Sequence, residues 1–436
     1  MEIAIVGAGS HFTLNLLRSM YQEAEHDDYH LRMMDVRTEP LNALSELVRR
    51  LNALTGRTFR FSCHRDRISA LQGADHVLAA FAVDFPASFL RTCWVMRNHG
   101  IQFVEGETAT PGALMSTLRH LPLLISITEE IREHTGGAWL HILNNPMPRL
   151  VLGVIRGTGY TQVVGHCHGT MEVRRHIANL TDTPAEDIDL FVAGINHFHL
   201  VQRAVDRRDG SDLLKTLDDL PDEKVKQWKK ENFTQWRMYR ELGYLVGHGI
   251  WHNFDYLPYA NHRMFSHRDY NTWERYCLAM QSRREAGVEG EIGSRLTTNG
   301  ALKRFMHEPE EEQMFAVMRA LSCETPPYPF LSGNVPNAGH IPSLPDGVIV
   351  ELPATVTPEG IELSRAEEPL PLLLELWLRH QVGIHELSVR ATLENSRQAA
   401  IEAIACDPSF RDCDCGPGQP LDEMLDANRG LVPTLR

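Results

Sequence analysis

The sequence lacks the features of a membrane-spanning, secreted or nucleic-acid-binding protein. No apolar run reaches the roughly 18 residues that a membrane-spanning helix needs. Met1 leads directly into the apolar run Ile3–Val6, without the basic region or small-residue cleavage site of a signal peptide. Basic residues are few, 43 Lys and Arg against 57 Asp and Glu. The resulting net charge of −14 argues against nucleic acids and anionic membrane surfaces as partners.

Cysteine is also sparse, with eight among 436 residues, and no two have the CxxC spacing of a structural zinc site. This argues against a disulfide scaffold and against a closed zinc site. We therefore expect a cytoplasmic protein with reduced thiols. Hydrophobic residues make up 43% of the chain and charged residues 23%, which is an ordinary balance for a globular protein with a large core.

The first 165 residues alternate between strand-like and helix-like segments. Short runs rich in Val, Ile and Leu predict strands, and longer runs with apolar residues at helical spacing predict helices. The predicted strands are Ile3–Val6, Leu31–Val36, His76–Val83, Ala138–Leu143 and Gln162–Val164, and the predicted helices are Leu14–Gln22, Leu41–Leu54 and Leu114–His134. The alternation is typical of a doubly wound parallel sheet, so we predict a Rossmann-type α/β domain over residues 1–165.

Beyond residue 165 the alternation fades, and we predict a second, mixed α/β domain over residues 166–436. Leu190–Ile195 has the pattern of a strand, Lys224–Leu242 that of a helix, and Ser364–Ala405 is mainly helical. The stretch Thr325–Asp346 is rich in Pro, Gly and Asn, and we interpret it as a long loop.

A glycine pair follows the first predicted strand, in the segment Gly7-Ala8-Gly9-Ser10-His11-Phe12. Such a turn at the start of a helix is typical of a dinucleotide site, where the glycines let the pyrophosphate approach the backbone. Phe12 stands where the usual pattern has its third glycine, so an ordinary turn is the alternative. Asp35 favours the nucleotide site, since it ends the second strand and is placed to accept hydrogen bonds from a ribose. We expect NAD, and Arg37 keeps NADP open.

Cysteine and histidine recur in two segments of the second half, which are Gly165-His166-Cys167-His168-Gly169 and Asn196-His197-Phe198-His199. Cysteine and histidine are ligands for borderline metal ions, so Cys167 with one histidine from each segment predicts an open metal site. A buried cysteine beside surface histidines is the alternative. A further group, Cys413-Asp414-Cys415 with Cys406, has the residue types of a soft-metal clip, and its Gly- and Pro-rich surroundings favour an exposed loop instead.

Further motifs extend along nearly the whole chain. They are Glu107-Thr108-Ala109-Thr110-Pro111-Gly112, Asn145-Pro146-Met147, Gly333-Asn334-Val335-Pro336-Asn337-Ala338-Gly339, Leu344-Pro345-Asp346-Gly347, Val350-Glu351-Leu352-Pro353 and Cys406-Asp407-Pro408. Together with the glycine turn, Asp35 and the two Cys/His segments, they resemble glycoside hydrolase family 4, whose glycosidases depend on NAD and a divalent metal. The resemblance implies a Rossmann-type domain, a second domain like that of lactate and malate dehydrogenases, a small-molecule glycoside as partner, and a homodimer or homotetramer.

The resemblance also implies glycoside cleavage by a redox route that differs from the usual scheme with two carboxylates. NAD⁺ takes a hydride from C3 of the sugar, a base removes the acidified C2 proton, and the C1 oxygen leaves. Water then adds, and NADH returns the hydride. Cys167 and His197 match the family's ligands for Mn²⁺, and Asn145 is expected beside both the nicotinamide and the sugar.

The remaining site residues are implied by the same resemblance. The segment Gly243-Tyr244…His252…Asp255-Tyr256 resembles the family segment that holds its tyrosine base, so Tyr244 is our first choice, Tyr256 the second, and His252 is expected to contact substrate. His168 follows the metal cysteine, where members that act on α-galactosides and α-uronides have histidine. A role for His168 in contacting the substrate or assisting the leaving oxygen follows. Arg149 and Arg263 are candidate partners for a uronate carboxylate.

Two other functions remain open from the sequence. The first is an NAD-dependent 2-hydroxy-acid dehydrogenase of the lactate/malate type, which shares the layout of the first domain but needs no metal cysteine. The second is a non-catalytic sensor that binds NAD(H) and responds through its second domain.

Overall fold

The structure, a computed structural model, describes residues 1–247, 252–257, 282, 287–308 and 312–436. Six parallel strands form one half of a central sheet. The six strands are β1 (Glu2–Val6), β2 (His30–Met34), β3 (Arg60–His64), β4 (His76–Ala79), β5 (Trp139–Ile142) and β6 (Val163–Gly165). Their order is β3-β2-β1-β4-β5-β6, so the winding reverses between β1 and β4. This confirms the predicted Rossmann-type sheet, in which ligands bind at the carboxyl ends of the strands beside that reversal.

Helices cover both faces of this half. They are α1 (Phe12–Glu23), α2 (Thr38–Thr55), α3 (Arg67–Leu71), α4 (Ala87–Asn98), α5 (Thr110–His134) and α6 (Met147–Thr158). In β1, Ile3 and Ile5 enter the apolar core shared with α1 and α2, whereas Ala4 and Val6 enter the core shared with α5 and α6. Strands buried on both faces have continuous apolar sequences, which explains why the pattern predicted five of the six strands. The sixth, β3, is partly exposed and was not predicted.

The second half of the sheet is antiparallel and continues from β6. Its strands are β7 (Ile188–Ile195), β8 (Phe198–Asp206), β9 (Val246–Gly247), β10 (Tyr328–Pro336), β11 (Ile349–Thr357) and β12 (Gly360–Leu363). The order continues as β6-β10-β11-β7-β8-β9, and β12 pairs with β11. The two halves are joined by the pairing of Asn334 in β10 with Gly165 in β6. The division into domains 1–165 and 166–436 remains a prediction, and its boundary falls at the last residue of β6.

The other helices lie on and around this half. They are α7 (Gly169–Thr181), α8 (Leu213–Thr216), α9 (Asp222–Glu231), α10 (Phe233–Leu242), α11 (His252–Tyr256), α12 (Asn299–His307), α13 (Met314–Leu321), α14 (Leu372–Leu393), α15 (Arg397–Cys406) and α16 (Gly418–Ala427), with single 3-10 turns at Ala185–Asp187, Leu217–Asp219 and Pro408–Phe410. Residues 287–295 are also helical. Of the helices in the described ranges, none combines the length and the apolar composition that crossing a bilayer requires.

The predicted loop Thr325–Asp346 is wrong over its first half, because Tyr328–Pro336 forms β10. Ser332 and Asn334 are 1% and 0% exposed there, and the pairing with β11 shifts register between Phe330 and Gly333. The neighbouring strands β6 and β11 supply the hydrogen bonds and the packing, so the strand forms although Ser332, Gly333 and Asn334 have low strand propensity.

The helix predicted over Lys224–Leu242 is two helices, α9 and α10, which meet at Asn232. The side chain of Asn232 accepts a hydrogen bond of 3.0 Å from the backbone N–H of Gln235 and so caps α10. Because Asn is a strong N-cap residue, a second helix begins at this position.

The carboxylate of Glu351 is fully buried where the two halves of the sheet meet. In β11, Glu351 pairs with Gly194 of β7 on one side and with Asn334 of β10 on the other. Its hydrogen-bond donors are Thr170 Oγ1 at 2.9 Å, Asn196 Nδ2 at 3.1 Å and Ser332 Oγ, and His199 Nδ1 lies 3.5 Å away. Burial by itself raises the pKa of Glu351, but the imidazole of His199 and the hydrogen bonds lower that pKa to about 2.

Replacing Glu351 with Gln removes this charge and leaves His199 without its carboxylate. We expect the free energy of unfolding at pH 7 to fall by about 3 kcal/mol, which corresponds to the lowering of the Glu351 pKa from 4.5 to about 2. The folded pKa of about 2 lies below the ordinary value of 4.5. The carboxylate therefore stabilises the fold above pH 4.5, and this contribution is lost as the pH falls towards 2.

Urea unfolding of both proteins at pH 7, 5, 4 and 3.5 measures this effect. The difference between wild type and Glu351→Gln should narrow below pH 4.5. Glu362→Gln on β12 is the matched control, because Glu362 is exposed, and it should change stability little at any pH. A difference between wild type and Glu351→Gln that stays constant from pH 7 to 3.5 would contradict the assignment.

Candidate active site

The glycine turn lies at the carboxyl end of β1, where the winding of the sheet reverses. Gly7 has φ +88°, and a Cβ added there would lie 2.7 Å from the Cα of Phe81, just beyond β4. The backbone N–H groups of Gly7 and Ala8 both donate to Met34 O, at 3.0 and 2.9 Å. The close approach of three strand ends therefore requires glycine at position 7.

Helix α1 begins directly after this turn. The hydroxyl of Ser10 accepts a hydrogen bond of 3.4 Å from the backbone N–H of Phe12, and the Phe12 side chain packs against the core. His11 occupies the N-cap position and its side chain makes no capping hydrogen bond. A helix N-terminus above a glycine turn attracts anions such as a pyrophosphate, so this end of α1 fits the predicted cofactor site.

Asp35 links the glycine turn to the end of β2. Its Oδ2 accepts a hydrogen bond of 2.8 Å from the backbone N–H of Gly9, and its Oδ1 accepts one of 2.9 Å from that of Arg37. A Cβ on Gly9 would lie 2.7 Å from Asp35 Oδ2. Each carboxylate oxygen has a second lone pair that remains suitable for a ribose hydroxyl.

Two carboxylates from the helical residues 287–295 reach the same crevice, and the sequence analysis missed both. Glu289 Oε1 lies 2.8 Å from Arg37 Nη1, and Glu291 Oε2 lies 2.7 Å from His11 Nδ1. They belong to no motif and meet the crevice through tertiary packing. The charge of Arg37 is therefore engaged by a carboxylate rather than left for a 2′-phosphate.

Cys167 and His197 come together beyond the ends of β6 and β7. Cys167 follows β6, and His197 lies in the two-residue turn between β7 and β8. The Sγ of Cys167 lies 3.3 Å from His197 Nε2, and the two residues are 6% and 3% exposed. His197 has φ +66°, a conformation that L residues other than Gly, Asn and Asp seldom adopt. Strained backbone of this kind often occurs at functional sites.

The pair fits a divalent metal ion. With bonds of about 2.3 Å to sulfur and about 2.1 Å to nitrogen, two ligands of one ion lie roughly 3.1–3.6 Å apart. Burial and the nearby Glu351 raise the pKa of the Cys167 thiol, and a bound cation would reverse that shift. Two protein donors leave coordination positions for water and substrate oxygens.

His252 lies beside this pair, as the resemblance implied. Its ring centroid is 4.1 Å from that of His197, and its Nδ1 lies 2.8 Å from Glu105 Oε2. Burial lowers the pKa of His252, but the carboxylate of Glu105 outweighs burial and raises it overall. No local sequence pattern indicates this role for Glu105, because its partner is 147 residues away in the chain.

Asp255 fixes the segment that carries Glu105. It accepts hydrogen bonds from the backbone N–H groups of Val104 (2.7 Å), Glu105 (3.1 Å) and Gly106 (2.7 Å). Burial, together with the carboxylate of Glu105, raises the pKa of Asp255 to about 7 against the opposing hydrogen bonds. The segment and α11 are thereby held together at the site.

His168 and Asn145 lie at the same edge of the sheet. His168 is at the start of α7, with Nδ1 3.3 Å from Glu312 Oε1 and Nε2 3.6 Å from Glu172 Oε1. Asn145 follows β5, and its Oδ1 is buried with no hydrogen-bond partner among the described residues. A buried acceptor without a partner is suited to a ligand donor.

The two candidate tyrosines lie in different places. Tyr256 ends α11, and its hydroxyl lies 3.4 Å from the carbonyl oxygens of Thr108 and of Asn196, the residue before His197. Tyr256 is 1% exposed, and burial raises its pKa well above the usual value, as for a core tyrosine.

Tyr244 lies on the approach to β9, which runs antiparallel to β8. The backbone N–H of Val201 donates to Leu245 O at 2.9 Å, which continues the antiparallel pairing of β8 with β9. In this register Tyr244 lies opposite residue 202 of β8. At 3.3 Å per residue this is roughly 15 Å along the strand from His197. The Tyr244 side chain nevertheless packs against the apolar cluster that contains Tyr256, and the choice between the two tyrosines remains a prediction.

Of the two uronate candidates, only Arg149 falls within the described residues. Arg149 is fully buried on α6 and donates to Ser388 Oγ at 3.1 Å. Burial lowers the pKa of Arg149 to about 10. Arg263 lies outside the described residues.

Comparisons with known proteins identify the family. The sequence model described as family 4 glycosyl hydrolase matches residues 2–183, and that of the family 4 glycosyl hydrolase C-terminal domain matches residues 192–410. An α-glucosidase of Erwinia rhapontici is 24% identical over 97% of both chains. An α-galactosidase of Bacillus subtilis (strain 168) is 24% identical over 93% of both. An α-galacturonidase of Lachnoclostridium phytofermentans is 24% identical over 84% of this chain and 82% of its own.

The fold has a solved counterpart. A crystal structure of a 6-phospho-α-glucosidase from gut microorganisms, in complex with NAD and Mn²⁺, superposes with a TM-score of 0.75 at 22% identity, covering 100% of this chain and 99% of that one. The dehydrogenase and sensor alternatives are not favoured by these matches. Because the two family models together span almost the whole sequence, the chain belongs to glycosyl hydrolase family 4.

Proposed function

We propose that this protein is an NAD- and Mn²⁺-dependent glycosidase that cleaves α-linked, non-phosphorylated sugars, with galactosides and galacturonides favoured. The observation that carries the proposal is the 3.3 Å contact between Cys167 Sγ and His197 Nε2. It lies at the same edge of the sheet as the glycine turn and Asn145, so a cofactor and a metal ion bound there would share one sugar.

The described residues fit both groups. The glycine turn and the start of α1 would hold the pyrophosphate, and Asp35 the adenosine ribose. Cys167 and His197 would hold the metal. When bound, the nicotinamide supplies reversible hydride transfer at C3 of the sugar, and the metal supplies Lewis-acid polarisation of neighbouring oxygens.

The remaining roles belong to side chains of the chain itself. Asn145 would accept a hydrogen bond from a substrate hydroxyl at its buried Oδ1. His168, flanked by Glu312 and Glu172, would contact the sugar or the leaving oxygen. These carboxylates disfavour a phosphate dianion there, which supports an uncharged or singly charged sugar. His252, held by Glu105, would line the other side of the site.

Tyr256 is our candidate for the base that removes the C2 proton. Its support is the 3.4 Å approach of its hydroxyl to Asn196 O, next to the metal ligand His197. A nearby divalent cation would offset the burial that raises its pKa. A cytoplasmic location and a homodimer or homotetramer remain predictions.

A panel of 4-nitrophenyl glycosides tests the function. The α- and β-anomers of galactoside, glucoside, galacturonide and glucuronide are each incubated with NAD⁺, Mn²⁺ and a reductant. We expect nitrophenol release from an α-galactoside or α-galacturonide that stops without NAD⁺, with EDTA, or in Cys167→Ser. Cys323→Ser is the matched control, because Cys323 is an exposed cysteine, and it should remain active. Release that is indifferent to NAD⁺ or EDTA would refute the proposal.

The two tyrosines are separated by phenylalanine variants. Tyr256→Phe should lower kcat by 10²–10⁴-fold, roughly the contribution of a general base. It should also abolish uptake of deuterium at C2 of the product in D₂O. Tyr244→Phe should retain the wild-type kcat and the wild-type uptake of deuterium at C2 within a few-fold. Equal C2 exchange in Tyr256→Phe and wild type would exclude Tyr256 as the base.

Arg37 and Glu289 determine the choice of dinucleotide. Glu289→Gln removes the carboxylate that engages Arg37, so the guanidinium becomes able to bind a 2′-phosphate. We expect the Kd for NADP⁺ to fall about tenfold, by roughly 1.4 kcal/mol, while the Kd for NAD⁺ changes little. Calorimetric titration measures both constants. Glu308→Gln, which breaks the pair with Arg18, is the control. An unchanged ratio of the two constants would contradict this role for Glu289.

A further inference from the structure

Two cysteines of the C-terminal region contact a histidine that lies more than 300 residues earlier in the chain. The Sγ atoms of Cys413 and Cys415 are 3.2 Å apart, and Cys415 Sγ lies 3.4 Å from Nδ1 of His99, just after α4. The Cys413 thiol also donates to the carbonyl oxygen of His99, at 2.9 Å. Both cysteines are half-buried between exposed residues, so small reagents can reach them.

A carboxylate sets the tautomer of this histidine. Glu423 Oε2, on α16, lies 2.9 Å from His99 Nε2. Negative charge at that distance favours a proton on Nε2, which leaves the lone pair of Nδ1 directed at the Cys415 thiol. Burial, the neighbouring Cys413 thiol and the carboxylates of Glu423 and Asp414 raise the pKa of Cys415 to about 11. At neutral pH this thiol therefore needs a proton acceptor to react, and His99 lies beside it.

The two sulfurs are closer together than two thiolates on a tetrahedral zinc ion. Two thiolates on one zinc ion, with bonds of about 2.3 Å, lie roughly 3.8 Å apart. Here the sulfurs are 3.2 Å apart. Within the described ranges no group of three or more His, Cys, Asp and Glu side chains has the arrangement of a metal site.

We propose that Cys413 and Cys415 form a redox-active dithiol, which low-molecular-weight disulfides convert reversibly into an intramolecular disulfide. His99 Nδ1 takes the proton of Cys415, and the Cys415 sulfur attacks a disulfide R–S–S–R. A Cys415–S–S–R bond forms, and the first RS⁻ leaves and is protonated. Cys413 then loses its proton and attacks the Cys415 sulfur, which releases the second RS⁻. The sum is one dithiol and one R–S–S–R giving one protein disulfide and two RSH.

The cluster is attached to the segment that leads into the active site. The backbone N–H of Gln102 donates to Ser409 O at 3.2 Å, so the C-terminal region also pairs with the chain just after His99. Within four residues this chain reaches Glu105, the partner of His252. The pair is therefore linked, through His99 and Gln102, to the backbone that positions Glu105.

Mass spectrometry of the full chain, loaded with NAD⁺ and Mn²⁺, tests the proposal. The protein is equilibrated in buffers of reduced and oxidised glutathione, quenched with acid, alkylated with N-ethylmaleimide and digested with trypsin. Residues 412–429 form one tryptic peptide that contains both cysteines. We expect this peptide to change, as the buffer becomes oxidising, from the doubly alkylated form to an unalkylated form whose mass is 2 Da below that of the reduced, unalkylated peptide. A reductant should reverse the change.

Variants assign the roles within the cluster. Cys413→Ser should trap glutathione on Cys415, because the second thiol is missing. His99→Gln should slow oxidation at pH 7 about tenfold or more, with convergence towards the wild-type rate at alkaline pH, where the thiolate forms unaided. Cys406→Ser changes an exposed cysteine outside the pair and should leave oxidation unaltered.

Two results would overturn the proposal. The first is full alkylation of both cysteines in the most oxidising buffer. The second is one equivalent of zinc bound to the Cys167→Ser protein, with Cys413 and Cys415 alkylated only after a chelator removes it. That result would assign a metal site instead. Neither readout depends on glycosidase activity, so the proposal stands or falls independently of the proposed function.

Discussion

The burial of the Glu351 carboxylate is the constraint on which the site depends. A charge with no access to water requires several donors, and here Thr170, Asn196 and His199 are among them. These donors belong to α7, to the turn between β7 and β8, and to β8. Because Asn196 is held by Glu351, the next residue, His197, is fixed in its left-handed conformation, and its imidazole reaches Cys167. The interaction that fills the core of the antiparallel half thus also places the candidate metal ligands.

Around that centre the site is built from histidine–carboxylate pairs. His252 lies against Glu105, His168 against Glu312, and His11 against Glu291. A carboxylate at one ring nitrogen orients the ring and determines which nitrogen carries the proton. The pairs also surround the site with negative charge, in keeping with the acidic chain as a whole. This environment suits a divalent cation, and it disfavours a doubly charged phosphate group on the sugar.

Sequence patterns predicted those parts of the molecule that local rules determine. The strands β1 and β4 have continuous apolar sequences because both faces are buried, and Cys167 and His197 stand in short segments whose residue types indicate chemistry. Strand β10 was missed because its small and polar residues are strand-forming only between β6 and β11. Glu351 and Glu105 gave no local signal of their roles, since each acts through partners distant in the chain. The distance of Tyr244 from His197 depends on strand register, which composition does not reveal.

The segment between α4 and α5 supports several candidate residues at once. Asp255 binds three of its backbone N–H groups, Glu105 within it binds His252, and the Tyr256 hydroxyl approaches the carbonyl of Thr108. Helix α11 and this segment therefore form one unit, in which the candidate base and the histidine beside the metal ligand share a single support. A substitution that displaces Asp255 would shift Tyr256 and His252 at once. The losses of activity caused by single substitutions in this unit should therefore not be additive, because each substitution disturbs the same backbone.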